Sequence, residues 1–570
     1  MRFLLSVILC CLIALPAQAA IAANTHWEVQ PTVGATANGG GFSPGVGTKT
    51  VTAAADLTVN ASNCKIVTSA THNFVSGDNH KFLIITAGTG WSFSATSAYQ
   101  IESTSANAAT LVSCPTYAGN ANLATYDLYD GVDYGYKASC GTPQVNIDNV
   151  TITATTAGAN SNVMTFNAAY TVAVGDNGNI VNVASGTNIN AGSYEITSVT
   201  TGAGGTWTVT GVGNLTTAGG AGAAIVAKMG GCRSHLSEPN GVMVAGNTVW
   251  VKASGTDSLA GAVTLTNGSS GNMNTFTGYT STRNDGGAAT LQNTTNVTMI
   301  TGSTFTIFSN FILDANAATA GTSSRCITNA QTTFIGYFLE CKNAGTAISA
   351  MNLAAGVWER IWSHANGTST TLFDISFSGA KSCVDCVATD SVRTGMGGNA
   401  ITCIRCISAN HTGSTSDGFQ ATGAGNMLVN CAFVRNTRDG IRAPSAGNGD
   451  ALLVFNTIFS RNGGVDFDSV TTSYLNGQIL ADYNAYDTTG TMITNAPFGP
   501  HDIHLTGDPF TSATTGDFSL NNTAGAGAAL KNAGYPGLFS NGLTTSHQTV
   551  GPWEPTVGAS CAVSTCGYVQ

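Results

Sequence analysis

Charge is scarce in this chain. Only 9% of its 570 residues are Asp, Glu, Lys or Arg, against about a quarter in ordinary soluble domains. A coiled coil or a long helical bundle is excluded because both need charged faces, and a hydrophobic fraction of 43% excludes a disordered chain. With 20 Lys and Arg and a net charge of −10, the chain also lacks the clustered cations that a nucleic-acid partner requires.

Long hydrophobic runs are also missing, except at the N-terminus. There an apolar run over residues 3–15 precedes Ala17-Gln18-Ala19, which predicts a secretory signal peptide at residues 1–19, cleaved after Ala19. No later run approaches the roughly 18 apolar residues of a spanning helix. We therefore expect a mature protein without a membrane span, secreted or held at the cell surface.

Helical periodicity is absent over most of the chain, and short runs rich in Val, Ile, Thr and Phe end at Gly, Asn or Asp. The fold class is therefore predicted to be all-β. Residues 24–231 are predicted to form an N-terminal β-rich domain, in which segments 84–112 and 186–209 resemble an internal duplication. The alternative is that two Gly- and Thr-rich hairpins resemble each other by composition.

A repeat of 20–25 residues follows. Cys386, Cys406 and Cys431 each come after an apolar–polar pair at intervals of 20 and 25 residues, and Asn410, Asn436 and Asn462 recur every 26. This period is the length of one coil of a parallel β-solenoid, whose coils bury their inner faces by stacking. Residues 240–520 are therefore predicted to form a solenoid, and residues 521–570 a C-terminal cap or tail.

These repeats resemble the right-handed parallel β-helix of the pectate-lyase-like superfamily. The resemblance implies that fold, but it specifies activity weakly, since the superfamily includes lyases, glycosidases, epimerases, tailspikes and adhesins. The residues that carry it are Cys403-Ile404-Arg405-Cys406, Asn410, Asp417-Gly418-Phe419, Asn430-Cys431, Asn436 and Asp439-Gly440-Ile441, with the closing segments Gly507-Asp508-Pro509-Phe510 and Val550-Gly551-Pro552-Trp553-Glu554.

The scarce charges concentrate between residues 411 and 468. Asp417 and Asp439 both precede a glycine and lie 22 residues apart, which predicts equivalent corners of neighbouring coils. Lyases on this fold need a base and a cation, commonly Ca²⁺, whereas glycosidases need paired carboxylates. The candidate catalytic residues are Asp417, Asp439, Arg435, Arg438, Arg442 and His411, and the candidate metal ligands are Asp466 and Asp468.

Two other interpretations of this cluster stay open. Asp-Gly before a strand is ordinary turn chemistry, and the Arg438–Asp439–Arg442 group is compatible with a surface ion pair. The second interpretation is a groove that binds carbohydrate without catalysis. Trp358 and Trp362 are the candidate sugar-stacking residues, and the alternative for them is burial in the core.

The cysteines raise a separate question, because 13 of the 15 remain after loss of Cys10 and Cys11. An odd number leaves at least one thiol unpaired in a monomer. The spacing Cys383-x2-Cys386-x16-Cys403-x2-Cys406 matches a zinc-ribbon template, although stacking of coils places the same cysteines over each other. Stacked thiols, a disulfide between coils and a metal site are the three alternatives.

The sequence thus predicts an exported β-helix that binds an extracellular polysaccharide. Whether it also cleaves the polysaccharide, as a lyase or a glycosidase, is left undecided, as is the oligomeric state. A non-enzymatic adhesin or cell-surface structural protein is one alternative function. A phage-type receptor-binding spike is another, against which the signal peptide counts.

Overall fold

The structure is a computed structural model. The predicted signal peptide at residues 1–19 and the tail from residue 535 lie outside the part of the chain that it describes. Within the described part, no helix has both the length and the apolar character needed to cross a membrane. The described residues are 25–36, 38–42, 49–52, 56–60, 63–75, 78, 82–88, 98–105, 107–111, 115, 123–129, 145–150, 163–166, 171–172, 176, 178–211, 215, 223–281, 283–367, 372–423, 425–443, 452–469, 479–487, 491–494, 498–531 and 533–534.

The chain forms two compact units. The N-terminal unit comprises Met1–Asp257 and Thr266–Ala289, and the C-terminal unit comprises Ser258–Leu265 and Thr290–Gln570. Nearly all regular structure of the described residues is β, as the sequence predicts, and the helices among these residues are single turns. These are Ser237–Asn240, Ala317–Ala320, Gly527–Leu530 and the 3-10 turn Ala513–Thr515.

The strands are numbered in chain order. The first are β1 (His26–Val29), β2 (Gly41–Phe42), β3 (Lys49–Thr52), β4 (Thr58–Asn60), β5 (Asn63–Thr68), β6 (Phe82–Ala87), β7 (Ala98–Ser105), β8 (Ala108–Leu111), β9 (Thr125–Tyr129), β10 (Val145–Val150), β11 (Val163–Thr165), β12 (Thr171–Val172), β13 (Ile180–Thr187), β14 (Gly192–Thr200), β15 (Gly202–Ala203), β16 (Thr206–Gly211) and β17 (Ala223–Met229). Next come β18 (Thr248–Lys252), β19 (Thr256–Leu259), β20 (Val263–Thr264), β21 (Asn274–Tyr279), β22 (Ala289–Asn293), β23 (Thr298–Thr301), β24 (Thr306–Asp314), β25 (Arg325–Asn329), β26 (Phe334–Lys342), β27 (Met351–Leu353), β28 (Val357–His364), β29 (Phe373–Val384), β30 (Val387–Thr389) and β31 (Thr394–Ile404). The last are β32 (Ile407–Ala409), β33 (Phe419–Ala421), β34 (Asn426–Val429), β35 (Ala432–Val434), β36 (Ile441–Ala443), β37 (Leu452–Phe455), β38 (Ile458–Ser460), β39 (Val465–Ser469), β40 (Ile479–Asp482), β41 (Ala485–Asp487), β42 (Thr491–Thr494), β43 (Ile503–Leu505), β44 (Phe510–Ser512) and β45 (Asp517–Leu520).

Two antiparallel sheets of the N-terminal unit share one strand order. The first runs β3-β9-β6-β7-β8-β5-β4 and the second β10-β17-β13-β14-β16-β11. When β3 is matched with β10, β6 with β13 and β7 with β14, six strands of the first sheet, all but β4, agree with the six strands of the second in both chain order and position. Tyr99 and Tyr194 then fall on matched strands. A duplication would produce this shared topology, and the duplication stays a prediction.

The first strand does not belong to these antiparallel sheets. Strand β1 pairs in parallel with β18, with Trp27 opposite Val249, and β18 pairs in parallel with β21. The antiparallel sheets are therefore inserted between strands of a parallel layer. The predicted domain 24–231 thus begins with a strand whose parallel partner lies beyond residue 231, and the sequence gives no sign of this pairing across more than 200 positions.

The C-terminal unit is a parallel β-helix, which confirms the predicted fold. Its strands pair in register with strands one coil later, at the 4.8 Å spacing of a sheet. Inside, the rings of Phe433, Phe459 and Tyr486 stack along the axis with centroids 5.7 and 5.0 Å apart. One continuous column of register partners consists of Trp362, Val387, Ile407, Ala432, Ile458, Ala485 and Ile503.

The parallel pairing ends with β43, and the next segment folds back. Strands β44 and β45 form an antiparallel hairpin, whose Phe510 and Phe518 pack with Leu530 against Ile407 and Ile458 on the outer face of the β-helix. This face is apolar because it is covered. The predicted solenoid limit of residue 520 therefore includes a hairpin that lies outside the parallel register.

Candidate functional site

Asp417 and Asp439 lie on neighbouring coils at the same corner. Phe419 is the register partner of Ile441, and the Asp439 backbone N–H donates to Asp417 Oδ1 at 3.3 Å. Both side chains are buried. The 22-residue spacing thus corresponds to one coil, as the repeat predicts.

Arg438 is the ion-pair partner of Asp417. Its Nε donates to Asp417 Oδ1 at 2.6 Å, and its Nη2 donates to Oδ2. Burial raises the pKa of Asp417 although Arg438 opposes this, and the carboxylate in turn raises the pKa of Arg438. The Nε and Nη2 groups of Arg438 thus hold the buried carboxylate of Asp417 and link two coils. While it makes this contact, Arg438 is not available to neutralise a uronate.

Of the two carboxyl groups at this corner, Asp439 has the larger rise in pKa. Burial, aided by the negative charges of Asp417 and Asp468, raises the pKa of Asp439 to about 6. Its Oδ1 accepts a hydrogen bond of 2.8 Å from the Val465 backbone N–H. A carboxyl group that titrates near neutral pH is suited to acid–base chemistry, but its burial also fits a structural role.

The predicted calcium ligands do not converge. Asp466 is buried and accepts from Asn462 Nδ2 at 2.8 Å, whereas Asp468 is the register partner of Arg442 on a partly exposed face. Within the described ranges, the one group with donor atoms close enough to share a metal ion is Cys383, Cys386 and Cys406. The carboxylates at 466 and 468 therefore do not fit a Ca²⁺ site.

His411 lies in the interior of the β-helix. Its Nε2 is 3.1 Å from the Ala388 carbonyl oxygen, so Nε2 carries the proton. Its Nδ1 then faces Asp374 Oδ2 at 3.6 Å. Burial lowers the pKa of His411 to about 4. The predicted catalytic role of His411 is not compatible with this position, because the side chain has no exposed surface.

Trp358 and Trp362 differ in exposure. Trp358 is fully buried, and its ring fills the space beside Gly336, where an added Cβ would approach it to 2.4 Å. It therefore cannot stack on a sugar, which corrects the prediction for this residue. Trp362 stays partly exposed, stacked on His364 at 3.9 Å, and its Nε1 donates to Thr389 Oγ1 at 3.1 Å.

A groove of about 690 Å³ runs along successive coils, and its lining begins at Asp390, the residue after Thr389. Its floor is a ladder of four residues, Asp390, Asn410, Arg435 and Arg461, that share left-handed backbone angles with φ between 54° and 58°. Asn410 Nδ2 donates to Asp390 Oδ1 at 3.1 Å and to the Ala513 carbonyl oxygen at 3.2 Å. The C-terminal hairpin thereby forms one wall of the groove, where Thr514 lines it.

The two arginines of the ladder have different partners. Arg461 Nε lies 3.6 Å from Asp487 Oδ2 and 3.5 Å from Asp508 Oδ2. The guanidinium of Arg435 makes no ion pair or hydrogen bond with any residue that the structure describes. Among the predicted site residues, Arg435 is thus the one that lines the groove.

Sequence reasoning missed this ladder because it aligned the asparagines wrongly. Ala409 is the register partner of Val434, and Val434 of Ser460, so Asn410 is equivalent to Arg435 and not to Asn436. Asn436 and Asn462 instead share their position with His411. The ladder was nevertheless readable, because Asp390, Asn410 and Arg435 each follow a repeat cysteine by four residues.

The cysteines form a bond that sequence reasoning did not consider. Cys383 and Cys386, on the same coil, are joined by a disulfide, while Cys403, Cys406 and Cys431 are buried thiols. Three residues along a straight strand would reverse the side-chain direction, but Asp385 has a φ of 55°. The chain turns there, so both sulfurs point inward.

No family model matches the chain, and no curated protein matches it. Among solved structures, a pectate lyase is 12% identical over 57% of this chain and 92% of its own, with a TM-score of 0.40. A mannuronan C-5 epimerase A-module from Azotobacter vinelandii is 13% identical over 46% and 73%, with a TM-score of 0.31. A rhamnogalacturonan lyase is 10% identical over 55% and 92%, with a TM-score of 0.28. The fold itself rests on the parallel register of the chain's own strands.

Proposed function

We propose that this chain is an exported protein that binds an acidic polysaccharide in the groove of its C-terminal unit. The observation that carries the proposal is Arg435, a guanidinium that lines the groove and has no anionic partner in the described part of the chain. A planar guanidinium binds a carboxylate through two parallel hydrogen bonds. A uronate carboxylate is the anion that such a surface would meet outside the cell.

The shape of the groove fits an extended ligand. The ladder residues repeat at the coil spacing of about 4.8 Å, so an extended ligand can contact successive coils while one of its carboxylates pairs with Arg435. Thr412 and Thr437 line the same groove and offer hydroxyl groups to sugar hydroxyls. Trp362, whose Nε1 bonds Thr389 beside Asp390, extends the surface with a partly exposed ring that can stack on a sugar.

Cleavage is the second candidate function, and Asp439 favours it. Its carboxyl group, with a pKa of about 6, would exchange a proton near neutral pH. The assay is incubation with uronate polysaccharides, followed by measurement of unsaturated ends from β-elimination and of new reducing ends from hydrolysis. Formation of either product would establish that the protein is an enzyme. If neither product forms, binding without cleavage, as in an adhesin, is the function.

Isothermal titration of the mature chain tests the binding proposal. Polygalacturonate and alginate are the acidic ligands, and dextran is the uncharged control. We expect heat of binding with the acidic polymers that weakens as salt is added, because the ion pairs are exposed and screened. Equal binding of dextran, or no binding of either acidic polymer, would contradict the proposal.

A further inference from the structure

Two C-x2-C motifs lie on adjacent coils inside the C-terminal unit. In the first, Cys383 and Cys386 form a disulfide with a Cα–Cα distance of 6.0 Å, across Asp385 in the left-handed region. This spacing lies within the ordinary range for a disulfide. The first coil therefore shows that a C-x2-C segment with this turn can close a disulfide in this core.

The second motif repeats the geometry of the first. Cys403 is the register partner of Cys383, and Ile407 is that of Val387. Arg405 has a φ of 54°, against 55° at Asp385. Because the strands before and after the turn match, the Cα atoms of Cys403 and Cys406 are positioned like those of Cys383 and Cys386. Cys403 and Cys406 nevertheless remain free thiols.

The sulfur atoms of the two motifs are close enough to react. The Sγ atoms of Cys383, Cys386 and Cys406 lie within 4.8 Å of one another, and the Cys403 and Cys406 thiols are hydrogen-bonded. On the third coil, Cys431 follows this column, but the position that corresponds to Cys403 is Leu428. That coil has no second cysteine with which to repeat the pair.

We propose that the two motifs exchange a single disulfide between adjacent coils. The Cys406 thiolate attacks Cys386 Sγ, so that a Cys386–Cys406 bond forms and Cys383 leaves as a thiolate. The Cys403 thiolate then attacks Cys406 Sγ, which forms a Cys403–Cys406 bond and releases Cys386. The two protons of Cys403 and Cys406 end on Cys383 and Cys386. The reaction is an isomerisation that needs no external oxidant or reductant.

The surroundings of Cys406 support its role as the attacking group. Its Sγ is held beside the first motif by hydrogen bonds that it donates to the carbonyl oxygens of Cys383 at 3.3 Å and of Ile404 at 3.6 Å. The thiolate is the reactive form in exchange. All of these sulfurs are buried, so exchange within the core is favoured over attack by a dissolved thiol.

Peptide mapping distinguishes the bonds. Trypsin cleaves after Lys381, Arg393, Arg405 and Arg435, so Cys383 and Cys386 share one peptide whereas Cys403 and Cys406 fall in two. The Cys431→Ser variant, which keeps all four exchange cysteines, is held folded at mildly alkaline pH. It is then quenched in acid, alkylated during unfolding and digested.

Exchange predicts two disulfide populations in this variant, one within peptide 382–393 and one that joins 394–405 to 406–435. With Cys403→Ser added, exchange must stop at the intermediate, and 382–393 becomes linked to 406–435. Circular dichroism establishes that both variants are folded. A bond confined to 382–393 in both variants would overturn the proposal. So would stoichiometric zinc with all four thiols free to be alkylated, because that result would establish a metal site instead.

Discussion

Arg435 and Arg461 occupy the same position on two neighbouring coils of the β-helix, but they differ in their partners. Arg461 lies within 4 Å of the carboxylates of Asp487 and Asp508, whereas Arg435 makes no ion pair with any residue that the structure describes. Both line one groove. A partly exposed guanidinium without an anionic partner is free to pair with an external anion, and this difference is the basis of the proposed polysaccharide binding.

The Asp417–Arg438 pair is expected to stabilise the fold. Asp417→Asn should lower the free energy of unfolding by about 2 kcal/mol, since the substitution breaks a buried ion pair while leaving Arg438 in place. Asp385→Asn is the matched control, because Asp385 pairs with Arg405 at the surface, where such pairs contribute under about 1 kcal/mol. Urea denaturation measures both. If the native protein cleaves polysaccharide, an Asp417→Asn variant with unchanged stability and no turnover would instead assign Asp417 to catalysis.

Asp466 should make stability fall as the pH rises. Burial, with some repulsion from Asp487, raises its pKa to about 7, against about 3.9 in an unfolded chain. Between these values the folded state binds more protons than the unfolded state, so its stability decreases with pH. Asp466→Asn should match the native protein at about pH 4 and exceed its stability at about pH 8 by roughly 2 to 4 kcal/mol.

Denaturation curves across this pH range test the prediction. Asp468→Asn is the control, because Asp468 lies on a partly exposed face and its replacement should leave the curves nearly unchanged. If Asp466→Asn keeps the same decline with pH as the native protein, another buried group causes that decline.

Gly336 should resist replacement because Trp358 occupies its side-chain space. An added Cβ at position 336 would approach the indole ring to 2.4 Å, so Gly336→Ala should destabilise the protein by about 1 to 3 kcal/mol through overpacking. Gly261→Ala is the control, with no atom within 4 Å of its added Cβ. Equal melting temperatures for the two variants would contradict the burial of Trp358.

The architecture of the C-terminal unit could be predicted because similar residue types recur at equivalent positions of successive coils. The cysteine spacing and the Asp417–Asp439 spacing both report the length of a coil, and both correspond to register in the structure. The N-terminal boundary could not be predicted, because the pairing of β1 with β18 depends on contacts across more than 200 residues. No local pattern records such a pairing.

The site was harder to predict than the fold, because a side chain can serve in a site only if it points outward, and the sequence does not specify that direction. His411 and Trp358 have residue types suited to chemistry, but both point into the core. For Trp358 a signal was present, since Gly336 on the preceding coil leaves the space that its ring fills. Arg435 was among the predicted site residues, but its place in the ladder with Asn410 was missed, because the asparagines were aligned one residue out of register. Such a shift moves a side chain to a different face.

Affinity for an acidic polysaccharide after Arg435→Ala is the most direct test of the account. The control is Arg405→Ala, which removes an exposed cation already paired with Asp385 and lies outside the groove lining. Titration with polygalacturonate should show the Kd rising about tenfold for Arg435→Ala, equivalent to about 1.4 kcal/mol, and changing less than about twofold for Arg405→Ala. Equal loss of affinity in the two variants would show that binding follows net charge and would contradict the assignment of the groove.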